Sequence, residues 1–459
     1  MIIPEGLNLT NFNYIQNEYN MIKEFNYNYT NNNKKKTVED KTEKIYIYDC
    51  FIMYAGDFLN GEFNGNGKQL LDSLEYYIGQ FKNNKKEGKG IIFYSNRKKR
   101  YEGDFHDDHI TGKGKYYHEN DFYSMAEFIQ GKRNGKGKVF DNNNNIYYEG
   151  DFKNDEYHGY GKLYENGELM YEGEFKNSEI KGKGKKYVDD TYYIGQFKNN
   201  QMHGKGKLFN KNGKLIYDGD YSNGLRDGNG ILYLNDTFII SGQFKKGKIE
   251  GKAKFYDKNK NLIYEGDYKN NNMEGYGKMF YKNGVYYIGK FKNNERNGKG
   301  KEYYPNGKLL FEGYFKNGKY EGKGKYYDKN DLYISEGIFK NDQITKGKIY
   351  KPNGDLIYEG EFENNQRGGY GKLYFDDGKY YIGQFKNDEM HGKGKEYNNK
   401  DILIYEGEYA FGKKNGKGKI FFENGNYLLV EAKNGKFPSG NIPIVNKNGT
   451  IINYFNYTG

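Results

Sequence analysis

Short stretches in which aromatic or small residues alternate with charged ones recur along most of the chain. The recurring stretch is Tyr-x-Gly-x-Phe, as in Tyr54-Ala-Gly56-Asp-Phe58. A second run follows, and it begins with a Gly-x-Gly pair such as Gly88-Lys-Gly90, nine residues after the glycine of the preceding stretch. An aromatic or aliphatic pair and a turn sequence complete the unit. Two alternating runs bounded by glycine and asparagine predict an antiparallel β-hairpin.

The spacing of the central glycine, here called the marker glycine, defines the length of the unit. Successive marker glycines lie 22 to 24 residues apart wherever no unit intervenes. One degenerate unit has Ala126 at this position, and a last degenerate unit has Val430. Together they make about 17 units between Tyr54 and Gly440. The marker glycines that follow Gly56, Gly79 and Gly103 are Gly150, Gly173, Gly195, Gly219, Gly242, Gly266, Gly289, Gly313, Gly337, Gly360, Gly383 and Gly407.

Alternation assigns the residues of a unit to two faces of the hairpin. In Tyr171-Glu-Gly173-Glu-Phe175, the two rings and the glycine share one face, and the two glutamates share the other. We expect Gly182 and Gly184 of the following strand to lie on the glycine-bearing face, where rings from neighbouring hairpins would lie flat on the backbone. On the opposite face we expect the glutamates to pair with lysines of the second strand in the same hairpin.

The turns and the size of the unit predict how the hairpins assemble. Asn-Gly pairs favour the type I′ turn, in which both residues have positive φ. One hairpin of about 23 residues cannot bury enough surface to be stable alone, so neighbouring hairpins must stack. The predicted fold is all-β, an elongated single-layer ribbon or solenoid of tandem antiparallel β-hairpins. The Asn-Gly pairs at the turn that ends a unit include Asn166-Gly167, Asn212-Gly213, Asn283-Gly284, Asn306-Gly307 and Asn353-Gly354.

Residues 1–43 lie outside the repeat. Apolar residues recur there at helical spacing from Phe12 to Phe25, and Thr10 is a candidate N-cap. A short helix that caps the first hairpin and a helix that binds a partner or a membrane are both open. Asn31 to Lys36 is predicted to be a flexible polar link.

The tandem repeats are predicted to span residues 44–436. Residues 437–459 are predicted to form a C-terminal cap, which contains an irregular hairpin around Asn448-Gly449. Arrays of repeats need such ends because an open strand edge invites further pairing.

Composition adds limits on location and partners. The chain has 64 glycines and 52 tyrosines, and its net charge of +11 comes from 73 basic and 62 acidic residues. That excess is small beside the total, so it is weak support for nucleic-acid binding. We take the high asparagine and lysine content as mostly coding background. The single Cys50 excludes an intramolecular disulfide, and neither a signal peptide nor a membrane-spanning stretch is evident. A cytoplasmic protein is predicted.

Candidate chemistry is sparse. No Gly-Lys pair is followed by Ser or Thr, and no Gly-x-Gly continues to a dinucleotide-binding pattern. The six histidines are scattered, and His106 and His109 form the one local cluster. The acids repeat with the fold, whereas a catalytic acid is expected to break the period. The sequence therefore predicts no enzyme, no metal and no cofactor.

The composite Tyr-Glu-Gly-Glu-Phe-Lys-Asn, then Gly-Lys-Gly-Lys-Leu-Tyr, then Asn-Gly resembles the MORN repeat (membrane occupation and recognition nexus). The unit from Tyr148 to Gly167 is similar to it throughout, and the resemblance covers roughly residues 54–436. It implies a single-layer hairpin ribbon with roles in scaffolding, dimer or filament assembly, and attachment to membranes or cytoskeleton. The departures at Ala126, Ala253, Thr345 and Val430 are predicted to loosen or bend the stacking.

We expect a non-catalytic scaffold that binds partner proteins along an aromatic-lined groove. The alternative is a peripheral tether to anionic, phosphoinositide-containing membranes or to the cytoskeleton, and nucleic acid ranks last. A homodimer is also open. The tyrosines predicted to line the groove are Tyr148, Tyr171, Tyr193, Tyr217, Tyr264, Tyr287, Tyr358, Tyr381 and Tyr405.

Overall fold

The computed structural model describes residues 35–39, 44–48, 51–71, 74–235 and 237–459. Within these ranges the chain is all-β and contains no α-helix. The strands are β1 (Lys35–Glu39), β2 (Lys44–Tyr48), β3 (Phe51–Leu59), β4 (Glu62–Leu70), β5 (Tyr76–Lys82), β6 (Lys85–Phe93), β7 (Lys99–His106), β8 (His109–Tyr117), β9 (Tyr123–Ile129), β10 (Lys132–Phe140), β11 (Ile146–Lys153), β12 (Glu156–Glu165), β13 (Glu168–Lys176), β14 (Glu179–Val188), β15 (Thr191–Lys198), β16 (Gln201–Asn210), β17 (Leu215–Ser222), β18 (Leu225–Leu234), β19 (Phe238–Lys245), β20 (Lys248–Asp257), β21 (Leu262–Lys269), β22 (Asn272–Phe280), β23 (Tyr286–Lys292), β24 (Glu295–Tyr303), β25 (Leu309–Lys316), β26 (Lys319–Tyr327), β27 (Ile334–Lys340), β28 (Gln343–Tyr350), β29 (Leu356–Glu363), β30 (Gln366–Tyr374), β31 (Tyr380–Lys386), β32 (Glu389–Tyr397), β33 (Leu403–Ala410), β34 (Lys413–Phe421), β35 (Tyr427–Ala432), β36 (Gly440–Val445) and β37 (Ile451–Tyr457).

The strands belong to two compact units. The first comprises the described residues up to Asp189 together with residues 197–200, and the second comprises residues 190–196 and 201–459. Within each unit the strands pair antiparallel in chain order, so that β12 lies between β11 and β13, and β24 lies between β23 and β25. The predicted fold class, tandem antiparallel β-hairpins in one layer, is confirmed.

The amino-terminal part differs from the sequence prediction where it is described. The helix predicted between Phe12 and Phe25 lies outside the described residues. Lys35 and Lys36, which were placed in a flexible link, begin β1, and β1 pairs with β2. Strand β2 pairs in turn with β3. Strand pairing therefore begins before residue 44, the predicted start of the array.

The core of most hairpins is a tyrosine ring laid over two facing glycines. Gly173 of β13 faces Gly184 of β14, and a Cβ atom added to Gly184 would lie 2.5 Å from Cε2 of Tyr171. The Tyr171 ring meets Phe175 edge-on at 5.2 Å and Phe197 of the next repeat at the same distance. The ring thus comes from the same hairpin as the glycines, whereas the alternation predicted a ring from a neighbouring hairpin. The Phe of the next repeat then closes the stack.

The departures from the repeat are compensated in volume. Ile240 replaces the motif tyrosine in its unit, and Ala253 faces Gly242 where other units have a glycine pair. Both Ile240 and Ala253 are buried, at 6% and 4% exposure. Ile240 at the tyrosine position and the methyl group of Ala253 together occupy the space that a tyrosine ring fills in other units. Ladder pairing continues through Ala126, Ala253 and Val430, whereas Thr345 lies at a register shift and has no ladder partner, so loosening at these positions stays a prediction.

Tight two-residue turns tie each hairpin to the one before it. In the turn between β21 and β22, Asn270 and Asn271 both have positive φ, at 50° and 71°. The Asn271 N–H donates to the carbonyl of Ile249 at 3.1 Å, and the Asn271 Oδ1 accepts the Ile249 N–H at 2.8 Å. The same reciprocal pair joins Asn294 to Met273. These asparagines therefore have a structural role, which corrects their reading as coding background.

The predicted type I′ geometry of the Asn-Gly pairs holds at one of the five. Asn166 and Gly167 have φ of 52° and 83° and join β12 to β13 directly. In the other four pairs only the glycine has positive φ. Gly284, for example, donates its N–H to the Tyr281 carbonyl in a longer turn that spans residues 281–285. At these four pairs a register shift or a longer loop accommodates the additional residues between the strands, so a two-residue turn is not required.

The chain described after residue 437 contains the predicted hairpin. Strands β36 and β37 pair through a turn in which Gly449 N–H donates to the Asn446 carbonyl at 2.9 Å. Strand β36 pairs with β35 at two positions, through Tyr427 and Leu428. The irregular hairpin around Asn448-Gly449 is confirmed, while its role as a cap stays a prediction.

Candidate binding surface

The tyrosines that the sequence placed in a groove lie in the interior. Each is 0% or 1% exposed. In eight of them the hydroxyl donates to the carbonyl three residues later, as Tyr264 does to Asp267 at 3.0 Å. Burial raises the pKa of these hydroxyls, and for Tyr405 it does so to about 12. Partner binding by these rings has not been tested, but the rings present no surface in this structure. The eight bonded hydroxyls belong to Tyr148, Tyr171, Tyr193, Tyr217, Tyr264, Tyr287, Tyr358 and Tyr381.

The opposite surface of the sheet, which carries the residues on either side of the marker glycine, is here called the charged face. The residue just after the marker glycine is here called the clamp residue. Asp267 is the clamp residue of its unit, and its Oδ2 accepts the Tyr276 N–H at 2.9 Å. The first glycine of the Gly-x-Gly pair, Gly275, has φ of 72° and forms a β-bulge under this carboxylate. The clamp thus closes each hairpin from the charged side.

This geometry corrects the position expected for the first glycine. Gly182 has φ of 86°, and a Cβ added to it would collide with the side chain of the clamp residue Glu174. Gly182 therefore lies on the charged face, and Gly184 alone faces Gly173. Strict alternation predicted a shared face because it assumes a strand without a bulge.

Lysines of the charged face pair mainly with acids of the next repeat. Lys252 Nζ lies 2.6 Å from Asp267, and Lys254 Nζ lies 3.1 Å from Glu265. Lys205 makes the same contact with the clamp residue Asp220 at 2.7 Å. The sequence predicted pairs within one hairpin, whereas these pairs join consecutive hairpins. Each exposed pair contributes little, about 0–1 kcal/mol.

The pKa values of two clamp residues reflect this environment. Desolvation raises the pKa of Asp267, but hydrogen bonds from Lys252 and from the Tyr276 N–H outweigh it, so that the pKa lies below its usual value. Asp220 has a lowered pKa for the same balance of causes, with Lys205 and the Asn229 N–H as its donors. The carboxylate form is therefore the form that the folded hairpin stabilises.

Three consecutive repeats break the clamp pattern. Their clamp positions hold Lys290, Tyr314 and Ile338, all exposed. In the other repeats with a marker glycine the same position holds Asp, Glu or Gln. The substitutions remove the acid that would face Lys299 and Lys323: within the described chain neither lysine has a carboxylate within 4.0 Å, and Lys299 lies 5.4 Å from the Tyr314 ring centroid. The result is a basic, partly aromatic region on the charged face, here called the unclamped region.

A cleft of about 710 Å³ opens in the unclamped region. Tyr314 and Gly322 line one side, and Asn297 and Gly298 line the other. Only the Cβ of Tyr314, at 3.9 Å, approaches the position that a Cβ on Gly322 would take, so the bulge there is uncovered. The cleft lies where the clamp side chain is missing.

Exposed apolar side chains also lie on the charged face. Tyr276 is 57% exposed, Tyr314 is 44% exposed, and Ile288 is 40% exposed, all within or beside the unclamped region. Tyr160 and Tyr370 occupy the position equivalent to Tyr276 in other repeats and are 55% and 58% exposed. The sequence analysis missed these residues. Their signal is present in the sequence as hydrophobic residues at positions where the repeat places charge.

The residues that the structure describes contain no group of three or more His, Cys, Asp or Glu side chains placed to hold a metal ion. His118 Nε2 lies 3.3 Å from Ser124 Oγ, and a histidine beside a serine hydroxyl is a candidate catalytic pair. Ser124 is fully buried at the motif tyrosine position, and desolvation lowers the pKa of His118. This contact fills the core of a degenerate unit.

Comparison with known families identifies the class of protein that this architecture defines. Thirteen segments, which cover more than half of the chain, match the MORN repeat, and three match a MORN repeat variant. The chain belongs to the MORN repeat family. The thirteen segments are residues 54–71, 77–98, 101–121, 148–168, 171–191, 193–214, 217–236, 264–286, 287–308, 311–332, 358–380, 381–401 and 405–427, and the variant segments are residues 133–154, 162–177 and 249–270.

Other comparisons add little. No curated protein matches the chain. A crystal structure of a protein of unknown function from Bacteroides caccae is 10% identical over 55% of this chain and 90% of its own, with a TM-score of 0.13, which carries no argument. Among the described residues no helix is long and apolar enough to cross a membrane.

Proposed function

We propose that the protein is a non-catalytic repeat scaffold that binds partner proteins on the charged face, with the unclamped region as its main contact. The observation that carries the proposal is the break at Lys290, Tyr314 and Ile338, where exposed apolar groups and lysines without acids replace the clamp residues. Aromatic anchors beside charged groups are typical of protein-binding surfaces. The proposal replaces the groove of motif tyrosines, because those side chains are consumed by the core.

The test is substitution of the exposed side chains that the core does not use. Tyr276→Ala combined with Tyr314→Ala should weaken binding to a partner by tenfold or more, since anchors of this kind contribute about 2 kcal/mol or more. The matched control is Tyr160→Ala, which removes an equally exposed tyrosine from a clamped repeat. Partners would first be found by proximity labelling of the intact chain and then measured with purified proteins. Equal loss in the control and the double variant would contradict the proposal.

The second candidate function is peripheral attachment to an anionic membrane surface or to the cytoskeleton, with a cytoplasmic location. It is favoured by the lysines without acids, Lys290, Lys299 and Lys323, because each basic residue near such a surface contributes about 1 kcal/mol. Flotation with liposomes of equal negative charge, with and without phosphoinositides, over a salt series tests it. Binding that survives moderate salt and prefers one headgroup would support this candidate. Binding that follows charge alone and vanishes at physiological salt would remove it.

A further inference from the structure

The clamped repeats show what the unclamped ones lack. In seven repeats a clamp carboxylate accepts the backbone N–H of the residue between the two glycines of Gly-x-Gly. The distances fall between 2.8 and 3.3 Å. The pairs are Asp57 with Asn66, Asp104 with Lys113, Asp151 with Tyr160, Asp220 with Asn229, Asp267 with Tyr276, Glu361 with Tyr370, and Glu408 with Lys417. This position in the hairpin is therefore one that takes a carboxylate.

The equivalent N–H groups in the unclamped region belong to Lys299 and Lys323. Their clamp positions hold Lys290 and Tyr314, and neither side chain supplies a carboxylate or amide oxygen. The third unclamped repeat is different, because Thr345 replaces the first glycine and its hydroxyl donates to the Ile338 carbonyl at 3.1 Å. Two adjacent carboxylate positions are thus left without their acid.

Charge around the two positions is suited to an acid supplied from outside. Lys290, Lys299 and Lys323 are exposed, and within the described part of the chain none has a carboxylate within 4.0 Å. Two acids line the adjoining cleft, but neither occupies a clamp position. Glu321 accepts the Asn341 N–H at 3.2 Å, and Glu295 begins β24 at the tight-turn end of its hairpin. At the Tyr314 position a carboxylate would meet the Lys323 N–H and the Lys299 ammonium group, the counterparts of the Tyr276 N–H and of Lys252 of the preceding repeat that Asp267 meets.

We propose that the unclamped region binds an extended acidic peptide segment whose carboxylates occupy the two empty clamp positions. Lys299 on β24 and Lys323 on β26 are two strands apart, or roughly 10 Å. A peptide in the extended polyproline II conformation has three residues per turn and advances by about 3.1 Å per residue, so acids at positions i and i+3 lie on one side of it at close to that spacing. An apolar residue beside them would contact Tyr314 or Ile338. The inference rests on the proposed function and specifies its partner chemistry.

A flat anionic membrane is the less favoured source of the acid. Its headgroups would meet the projecting lysine ammonium groups, whereas the backbone N–H groups lie at the level of the sheet, beside a cleft that a peptide side chain can enter. A membrane also offers no fixed spacing of about 10 Å between acids. The test therefore includes vesicles as one outcome.

The experiment restores the clamps and asks whether the binding is lost. Lys290→Asp combined with Tyr314→Asp places in both repeats the residue that other repeats already carry. The variant should fold with an unchanged or higher unfolding midpoint. It should bind an acidic peptide with Asp at i and i+3 at least about tenfold more weakly than the original chain, measured by fluorescence anisotropy. A peptide isomer with Asp at i and i+1 should bind the original chain more weakly than the i, i+3 peptide.

The matched control changes the net charge equally without touching a clamp position. Lys282→Asp combined with Asn283→Asp lies in an exposed turn, and an aspartate at position 283 keeps the oxygen that accepts the Val285 N–H at 3.1 Å. The control should retain most of the peptide binding. Equal loss in both variants would overturn the inference, because the peptide would then respond to net charge alone.

Two further outcomes would also overturn it: equal affinity for the two peptide isomers, or binding of anionic vesicles that the clamp-restored variant loses in place of peptide binding. Failure here is distinct from failure of the proposed function. If Tyr276→Ala with Tyr314→Ala weakens a natural partner but Lys290→Asp with Tyr314→Asp leaves peptide binding unchanged, the scaffold surface stands and the carboxylate positions do not.

Discussion

At the scale of single residues, the core of a typical repeat combines one large tyrosine ring with two glycines, which have no side chain and leave room for the ring. Tyr264 covers Gly266 and Gly277, and its hydroxyl reaches the Asp267 carbonyl. Where Ile240 replaces the ring, a methyl group at Ala253 fills the vacated space. In this unit the ring and the glycine have changed together, whereas Ser335 replaces the ring over an unchanged pair, Gly337 and Gly347, which Ile344 approaches.

This coupling can be measured in one repeat. Gly277→Ala alone would place a Cβ 2.5 Å from Cε2 of Tyr264 and should destabilise the fold by several kcal/mol. Tyr264→Ile combined with Gly277→Ala copies the Ile240 repeat and should recover part of that loss. A double-mutant cycle from urea unfolding gives the coupling energy, which should exceed about 1 kcal/mol. Additive effects would show that the exchange is not a packing requirement.

The clamp carboxylates give the protein a predictable response to acid. The pKa of Asp267 is lowered in the folded state, because the hydrogen bonds from Lys252 and Tyr276 N–H outweigh desolvation. Its stabilising contribution is therefore present above the unfolded pKa of about 3.9 and is lost as the pH falls through the lower folded value. Asp267→Asn should flatten the fall in unfolding midpoint between about pH 5 and pH 3. An unchanged slope would mean that this carboxylate does not stabilise the fold.

Sequence alone separated the two faces of the first strand of each hairpin, but not their roles. Alternation placed Tyr171 and Phe175 together, as the structure does. It predicted rings lying on the glycines but took them from neighbouring hairpins, whereas each tyrosine ring lies on the glycines of its own hairpin. It also missed the bulge at Gly182, because a bulge changes which face a residue occupies without changing residue types. For these two reasons the candidate binding surface lies on the charged face, whereas the sequence analysis placed it along the motif tyrosines.

At the scale of the hairpin, the tight turn is the element that docks one repeat on another. The backbone N–H and the Oδ1 of Asn271 both bond to Ile249 of the preceding repeat. Where glycine takes that place, as at Gly318, the backbone bond to Arg296 remains and a turn side chain no longer accepts the second N–H. The positive φ explains why asparagine, aspartate and glycine dominate these turns.

Two substitutions separate the hydrogen bond from the backbone conformation. Asn271→Gly keeps the left-handed conformation and removes Oδ1, so it should cost about 0.5–1.5 kcal/mol. Asn271→Ala removes the same oxygen and also forces a residue with a Cβ to φ of 71°, so it should cost about 1 kcal/mol more. Chemical denaturation measures both. If alanine and glycine were equivalent, the left-handed turn would have relaxed in the variant.

The turn chemistry marks a second limit of the sequence analysis. Of the five Asn-Gly pairs named from the sequence, only Asn166-Gly167 forms the two-residue turn they favour, whereas other Asn-Gly pairs, such as Asn60-Gly61 and Asn223-Gly224, have positive φ at both residues. Many of the tight turns within hairpins carry Asn-Asn or Asn-Asp pairs instead, such as Asn293-Asn294. Their role depends on contact with a residue about 21 positions earlier, such as Met273. A local pattern does not contain that contact.

At the scale of the whole molecule, nearly every stabilising contact joins residues of the same or adjacent repeats. The ring stack, the turn bonds and the lysine–acid pairs all reach about one repeat along the chain. Stability is then a sum of hairpin and nearest-neighbour terms. A local defect should stay local.

Gly173→Val tests this. The valine side chain would collide with the Tyr171 ring and with Gly184, so the hairpin of β13 and β14 should open. Hydrogen exchange should rise in this hairpin and in its neighbours, while strands such as β5 and β6 stay protected. Limited proteolysis should show new cleavage near residue 173. Global loss of protection would contradict the nearest-neighbour account, and no change would contradict the role of the glycine.

The tyrosines Tyr193, Tyr287 and Tyr381 stand 94 residues apart, four repeats at a time, with near-identical surroundings in Tyr-Ile-Gly. Because each hairpin meets its neighbour through the same set of bonds, a crossover between equivalent codons of two repeats joins strands that already fit. Unequal recombination can therefore lengthen or shorten the gene by whole repeats without creating a foreign junction. The number of repeats can therefore change between generations, and selection can act on the length of the array alone.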